Sequence, residues 1–285
     1  MKKIIFIVLF IFGKQIQAQV CFNTAQTYST PNTAYSARNG DFDNNGIPDM
    51  VAVSYSATIA NLSVYMNYSG TSLTFSTTNT YSLASGSNPY DLAVADFDGD
   101  GKQDIMTVNN GSANISVLSG NGDGTFNSAN SFTTIASPKA ITVADFNTDN
   151  KIDVAIISSA NNGINVLLNT STGTGVFSFA TPVTYTVTSP YAITTANFDG
   201  INGPDIAVVS STGNNVCEFL NNGSGSFGTA TTFSVGSSPY DLTTGDFNND
   251  GAIDIATANY YGYGTSVLLG TGTAGSFTTA VSYST

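Results

Sequence analysis

Histidine and tryptophan are absent from the 285 residues, glutamate occurs once, as Glu218, and cysteine twice, as Cys21 and Cys217. Without an imidazole, no Ser–His or Cys–His nucleophile pair can form. Zinc and other soft metals lack their usual nitrogen and thiolate ligands. Two cysteines cannot build a disulfide framework. One bridge between them is the only option, and their separation in the repeat scheme below favours two unpaired thiols. Basic residues are scarce, seven against nineteen acidic ones. Such a surface repels nucleic acid and anionic membranes, so neither a nucleic-acid partner nor membrane insertion is expected. No helical periodicity is visible beyond the first twenty residues, and no later apolar run approaches membrane length.

The opening stretch MKKIIFIVLFIFGKQIQAQ has the parts of an export signal. Lys2 and Lys3 are a basic start, Ile4 to Phe12 is an apolar run of nine residues, and Ala18 is a small residue before Gln19. The run is too short to cross a bilayer. Residues 1–19 are therefore expected to be a signal peptide, leaving 20–285 as a secreted or cell-surface fold. A lipid anchor on Cys21 is disfavoured by Val20 before it. Loss of Lys2, Lys3 and Lys14 moves the formal charge from −12 to −15.

What the chain does have is one acidic segment written five times. ADFDGDGKQDI, from Ala95, holds Asp96, Asp98, Asp100 and Asp104. Its relatives are GDFDNNGIPDM from Gly40, ADFNTDNKIDV from Ala144, ANFDGINGPDI from Ala196 and GDFNNDGAIDI from Gly245. Their first oxygen-bearing side chains are Asp41, Asp96, Asp145, Asn197 and Asp246, spaced by 55, 49, 52 and 49 residues. About six residues before each segment stands Tyr35, Tyr90, Lys139, Tyr191 or Tyr240, four of them after a proline. Behind each comes an apolar run such as IMTVN, a Gly/Asn/Ser break, a second run such as NISVLSG, and a turn such as GNGDGTF.

This period and these strand formers predict an all-β propeller of four-stranded antiparallel blades, strands A to D, with five repeats. The acidic segment is expected to join A to B, and the glycine-rich turn C to D. FNTAQTYST from Phe22 looks like the closing FTTAVSYST from Phe277, so one outer strand is spare. Either that strand covers an edge, or the repeats belong to a larger ring, for example of seven blades.

The loops span 41–49, 96–104, 145–153, 197–205 and 246–254 and hold fifteen of the nineteen acidic residues. Counting from the first residue, oxygen side chains fall at positions 1, 3, 5 and 9, with glycine usually at 6. Calcium takes six to eight hard oxygens in flexible geometry, and alternate side chains of a tight loop point at one centre. The carbonyl of position 7 is expected to join them. The predicted ligand sets are Asp41, Asp43, Asn45, Ile47 and Asp49; Asp96, Asp98, Asp100, Lys102 and Asp104; Asp145, Asn147, Asp149, Lys151 and Asp153; and Asp246, Asn248, Asp250, Ala252 and Asp254. In the remaining loop Asn197, Asp199 and Asp205 are present, but Ile201 fills position 5, so that site is expected to be weak or empty. About four Ca²⁺ per chain follow. The alternative, Asx turns at hairpin ends, explains single loops but not four convergent carboxylates without a cation.

These loops, the DF before them and the GNGDGTF turn resemble the FG-GAP/VCBS repeats, which build the β-propeller of integrin α chains and of many secreted proteins. The resemblance covers the chain after its leader and departs at Ile201. It implies four-stranded blades, calcium at the A–B hairpin, and a role in adhesion or carbohydrate binding.

The favoured reading is accordingly a binding module for a glycan or an extracellular protein. Its candidate contacts lie on the face opposite the acidic loops: Tyr240 and the B–C loop residues Tyr260, Tyr261 and Tyr263, with Tyr35, Tyr90 and Tyr191 as a further set whose alternative is packing around the axis. A structural scaffold in a larger surface protein is a second reading. A third is the propeller of a polysaccharide-degrading enzyme, for which only Asp91, Asp123, Glu218 and Asp241 lie outside the loops. Catalysis by this chain is not expected.

Overall fold

The computed structural model describes residues 27–55, 60–69, 75–84, 86–273 and 275–284. The expected signal peptide and Cys21 lie outside them. Twenty strands form five four-stranded antiparallel sheets, each from consecutive strands. The first blade is β1 (Thr33–Gly40), β2 (Asp49–Tyr55), β3 (Asn61–Asn67) and β4 (Phe75–Ser82). The second is β5 (Pro89–Ala95), β6 (Asp104–Asn109), β7 (Asn114–Leu118) and β8 (Asn130–Thr133). The third is β9 (Ala140–Ala144), β10 (Asp153–Ser158), β11 (Gly163–Leu167) and β12 (Val183–Thr186). The fourth is β13 (Pro190–Ala196), β14 (Asp205–Ser210), β15 (Asn215–Phe219) and β16 (Thr231–Ser234). The fifth is β17 (Pro239–Gly245), β18 (Asp254–Asn259), β19 (Gly264–Leu268) and β20 (Val281–Ser284). Strands β1, β5, β9, β13 and β17 neighbour one another in that order around an axis, which makes the fold a β-propeller.

In the second to fourth blades the second strand is buried on both faces because the blade stands between two others, whereas in the fifth Ala258 is exposed. That is why DIMTVN, DVAIIS and DIAVVS are nearly continuous apolar runs rather than alternating ones. Four hydrophobic clusters lie between successive blades, one at each junction from first–second to fourth–fifth. The outer strands β8, β12 and β16 are exposed except for one half-buried aromatic each, Phe132, Tyr185 and Phe233.

Those aromatics form a repeated latch. Each packs edge-on against a phenylalanine in the next blade's C–D turn: Tyr81 on Phe126 at 5.6 Å, Phe132 on Phe179 at 5.2 Å, Tyr185 on Phe227 at 5.6 Å and Phe233 on Phe277 at 5.0 Å. The Phe126 and Phe227 N–H groups also donate to the Tyr81 and Tyr185 hydroxyls. Tyr28 repeats this geometry, 5.1 Å from Phe75 and accepting its N–H at 3.2 Å. Tyr28 belongs to the spare-strand sequence, and its ring sits where the latch aromatic of a preceding blade would pack. At the other end Phe247 and Tyr283, the corresponding parts of the fifth blade, are 48% and 58% exposed.

Candidate functional site

Each A–B loop is shaped by its own carboxylates. In the second loop Asp96 accepts N–H bonds from Asp100 (3.1 Å) and Gly101 (2.8 Å), and Asp100 accepts one from Lys102 (2.9 Å). The same position 1 to positions 5 and 6 pattern recurs at Asp41, Asp145 and Asp246. Positions 4 and 6 both take positive φ, as at Gly99 (77°) and Gly101 (83°), or Asn249 (59°) and Gly251 (88°). The sequence signal, glycine or asparagine at these places in every loop except at Thr148 (59°), follows from the low cost of that region for them.

Position 9 does a different job. Asp104 is fully buried; its Oδ2 accepts the Phe97 N–H (2.8 Å) and its Oδ1 the Gly120 N–H (2.9 Å). Asp49, Asp153, Asp205 and Asp254 make the equivalent pair of bonds. The residue therefore ties the loop entry to the end of the third strand. Burial is also costly to the charge: it pushes Asp104 up to about 7 and Asp153 and Asp205 to about 6, against the help of those N–H donors.

The loops bring oxygens together. One carboxylate oxygen from each of Asp41, Asp43 and Asp49, and from each of Asp96, Asp98 and Asp104, lies within 4.8 Å of the other two. Such an all-oxygen, densely anionic donor set suits a hard cation of the calcium type and no soft one. Asp145, Asp149 and Asp153 with Asn147, and Asp246, Asp250 and Asp254 with Asn248, carry oxygen donors at the same four positions, but their three carboxylates do not come within that distance of one another. The fourth loop differs in shape as well as in sequence. It keeps the bond from position 5 to position 3, Asp199 accepting the Ile201 N–H at 2.9 Å, but Ile201 has no side-chain oxygen to accept the position 7 N–H as Asn45, Asp100, Asp149 and Asp250 do, and Gly203 joins Gly200 and Asn202 at positive φ.

At the opposite end the first strands aim side chains at the axis. The pairing of β1, β5, β13 and β17 with its neighbour skips one residue, and that residue is Tyr35, Tyr90, Tyr191 or Tyr240. A β-bulge of this kind leaves the extra residue unpaired and re-aims it. Lys139 stands at the same place before β9. All five, with Asp91 and Asp241, line a pocket of about 650 Å³.

Within this pocket the aromatics are organised. Lys139 Nζ lies 3.0 Å from the Tyr191 ring centroid. Tyr191 stacks on Tyr240 (4.1 Å, 7°) and Tyr240 on Tyr260 (5.0 Å, 6°). Burial pulls Lys139 down to about 8. Asp91 accepts from Arg38 (2.9 Å) and Ser36 (2.6 Å), whereas Asp241 is exposed and bonds the adjacent Leu242 N–H. A shallower hollow of about 410 Å³ beside it is lined by Tyr240, Tyr260 and Tyr263. Tyr261 packs edge-on to Tyr260 and is 62% exposed.

The structure thus gathers Tyr240, Tyr260, Tyr261 and Tyr263 on one face and the acidic loops on the other. The axial tyrosines both pack on one another and line the cavity. Asp123 caps its own turn through Thr125. Cys217 is a buried free thiol, pushed up to about 11 by burial. Sequence reasoning missed Lys139 as a pocket residue, although it replaces tyrosine in a periodic position. It also missed the clamps by which Asn169 and Asn221 donate to the Phe97 and Phe146 carbonyls of the preceding blade.

Comparison with known proteins places these features. The FG-GAP-like repeat matches residues 41–107, 96–156 and 197–257, more than half of the chain. No curated protein matches it. Among solved structures, a candidate 6-phosphogluconolactonase of Bacteroides fragilis superimposes with a TM-score of 0.66 at 15% identity, over 88% of this chain and 71% of that one. The periplasmic gluconolactonase of Pseudomonas aeruginosa gives 0.62 at 12%, over 84% and 68%. A protein of unknown function from Desulfotomaculum acetoxidans gives 0.59 at 13%, over 88% and 75%. At such identities the likeness is one of fold.

Proposed function

The chain belongs to the FG-GAP-like repeat family, and from that premise we propose that it is a secreted or surface-held, calcium-stabilised propeller that binds a glycan or an extracellular protein through its tyrosine face. The observation that carries this reading is the division of labour between the two faces. One end carries the acidic loops, with convergent carboxylates in the first two; the other presents the bulge tyrosines of four repeats and Lys139 of the third around one pocket. Loops and cavities of this kind on a rigid scaffold are where ligands bind, and tyrosine and lysine beside carboxylates offer stacking surface and hydrogen bonds to hydroxyl-rich molecules. When bound, calcium would neutralise the loop carboxylates and hold each A–B hairpin in place. Asp41, Asp96, Asp145 and Asp246 and their loop partners would hold it.

The module is read as non-catalytic. Asp91 and Asp241 both line the pocket, but Asp91 is already engaged by Arg38 and Ser36, which does not suit a proton-transfer pair. A glycan and matrix-protein array, probed with and without calcium, tests the proposal. Replacing Tyr260, Tyr261 and Tyr263 together by serine should abolish binding to the ligand found while leaving melting and calcium stoichiometry intact. Normal binding by that variant, with loss of binding in an Asp100→Ala protein that stays folded, would move the site to the acidic face. Release of product from an arrayed polysaccharide would replace the binding reading with an enzymatic one.

A further inference from the structure

Lys139 is the odd member of the residues gathered at the axis. The other four blades bring a tyrosine to this place, Tyr35, Tyr90, Tyr191 or Tyr240. Its backbone is fixed at the mouth of β9, where its N–H donates to the Ile157 carbonyl at 2.8 Å. The side chain is half-buried, and its ammonium lies over the Tyr191 ring, 3.0 Å from the centroid. That ammonium has no ion pair and no hydrogen bond among the described residues. It carries three donors, and leaving them unmet away from water costs free energy that tyrosine would not. Burial accordingly pulls Lys139 down to about 8.

The carboxylates of the pocket do not supply the missing partner. Asp91 is fully engaged: its Oδ1 accepts from Ser36 (2.6 Å), Arg38 (2.9 Å) and the Leu92 N–H (2.9 Å), and its Oδ2 from the Ile141 N–H (3.3 Å). Asp241 holds the same register place in the fifth blade as Asp91 in the second. The blade before it has Ala192 and Thr194 where Ser36 and Arg38 stand, so Asp241 keeps only the adjacent Leu242 N–H and stays exposed to water. A solvated carboxylate needs no counter-ion, whereas a desolvated ammonium does. The pocket is therefore short of one anion, at Lys139.

The rest of the lining describes the molecule that would bring it. The hollow of about 650 Å³ is of the size that holds a small ligand or one end of a chain. Ser36, Ser137 and Ser159 line it with the tyrosines, and Asp241 adds a free acceptor. These groups match the hydroxyls of a sugar, and an unpaired ammonium matches a carboxylate. A protein side chain would bring the carboxylate alone and leave the polar lining unmatched. The acidic loops, which dominate the net charge, lie at the other end of the blades. We propose that the axial pocket selects an acidic glycan, one carrying a uronic or sialic acid, with the sugar carboxylate on Lys139 Nζ and its hydroxyls on the serines and Asp241. The inference rests on the binding reading above and narrows its ligand.

The test is calorimetric titration of the full chain, with calcium present, using short oligouronates and sialylated oligosaccharides, each beside its carboxyl methyl ester. The acid forms should bind, and the esters about ten- to a hundredfold more weakly, the size of one lost charge-assisted hydrogen bond. Lys139→Met keeps the side chain's length without its charge; it should weaken the acid forms by the same factor and leave the esters unchanged. Lys139→Tyr, which restores the residue of the other blades, should also lose the preference for the acid, and it keeps the test open if Lys139→Met folds poorly. Equal affinity for acid and ester in the native chain would overturn the proposal. So would full affinity for the acid forms in both Lys139 variants; if Asp100→Ala then lost it, the sugar carboxylate would sit on a cation of the acidic face. Binding of neutral glycans or of a matrix protein alone would overturn this inference and leave the wider reading standing. No binding to any glycan or matrix protein would remove both.

Discussion

The fourth and fifth repeats use the same parts in opposite ways. In the fourth, the loop phenylalanine Phe198 is 7% exposed and packs on Phe277, yet the loop has lost its position 5 oxygen to Ile201. In the fifth, the loop is complete, yet Phe247 and Tyr283 are 48% and 58% exposed because no blade among the described residues packs on them. The oxygen donors of the loop and the packing between blades are therefore separate properties of one repeat. Position 9 links them: Asp205 and Asp254 are both fully buried and both tie the loop to the strand end.

The largest expected effect comes from breaking the packing side of the comparison. Phe198→Ala should destabilise by about 3–5 kcal/mol, as for a buried aromatic, while Phe247→Ala should cost no more than about 1 kcal/mol. Denaturant unfolding of the two variants checks this, and equal losses would show that the fifth blade is covered in solution.

Next come the position 9 carboxylates. Asp205→Ala and Asp254→Ala each strand two N–H donors, at roughly 1–3 kcal/mol apiece. Measured in excess chelator, the two variants should lose similar stability despite their unequal loops. A clear difference would mean that position 9 acts mainly through the cation.

Removing calcium should lower the melting temperature; at a hundredfold excess over the dissociation constant the ion contributes about 2.7 kcal/mol per site. The increment should fall more on Asp250→Ala than on Ile201→Ala, because only the former removes a donor. An unchanged melting curve in chelator would count against structural calcium.

The pH dependence reverses sign with the metal. Burial raises Asp104 and Glu218 to about 7 and Asp153 and Asp205 to about 6. Unfolded carboxylates titrate at about 4. The calcium-free folded state therefore holds more protons between those limits, and its stability should fall as pH rises from about 4 to 7. Calcium needs the deprotonated groups, so its increment should grow over the same range. Asp205→Asn should make the calcium-free slope shallower. Thermal melts at pH 5 and pH 8, with and without calcium, read both slopes.

The sequence by itself determined the repeat, the strand order and the acidic loops, because these are local. An apolar run after each loop and Asp or Gly at fixed offsets depend on neighbours within a few residues, and the period near fifty is their recurrence along the chain. Periodicity also marked the tyrosines before each first strand. Only the tertiary structure decided where those tyrosines point, since a bulge is a mismatch between two strands and neither strand alone records it. It likewise decided that Tyr28 takes the place of a preceding blade's latch, and that Phe247 does not find the partner Phe198 has. Lys139 is the sharpest case. Its place in the period says only that it stands where four repeats have tyrosine; what surrounds its ammonium comes from the next blade and the axial pocket, and contacts across sheets leave no trace in local spacing.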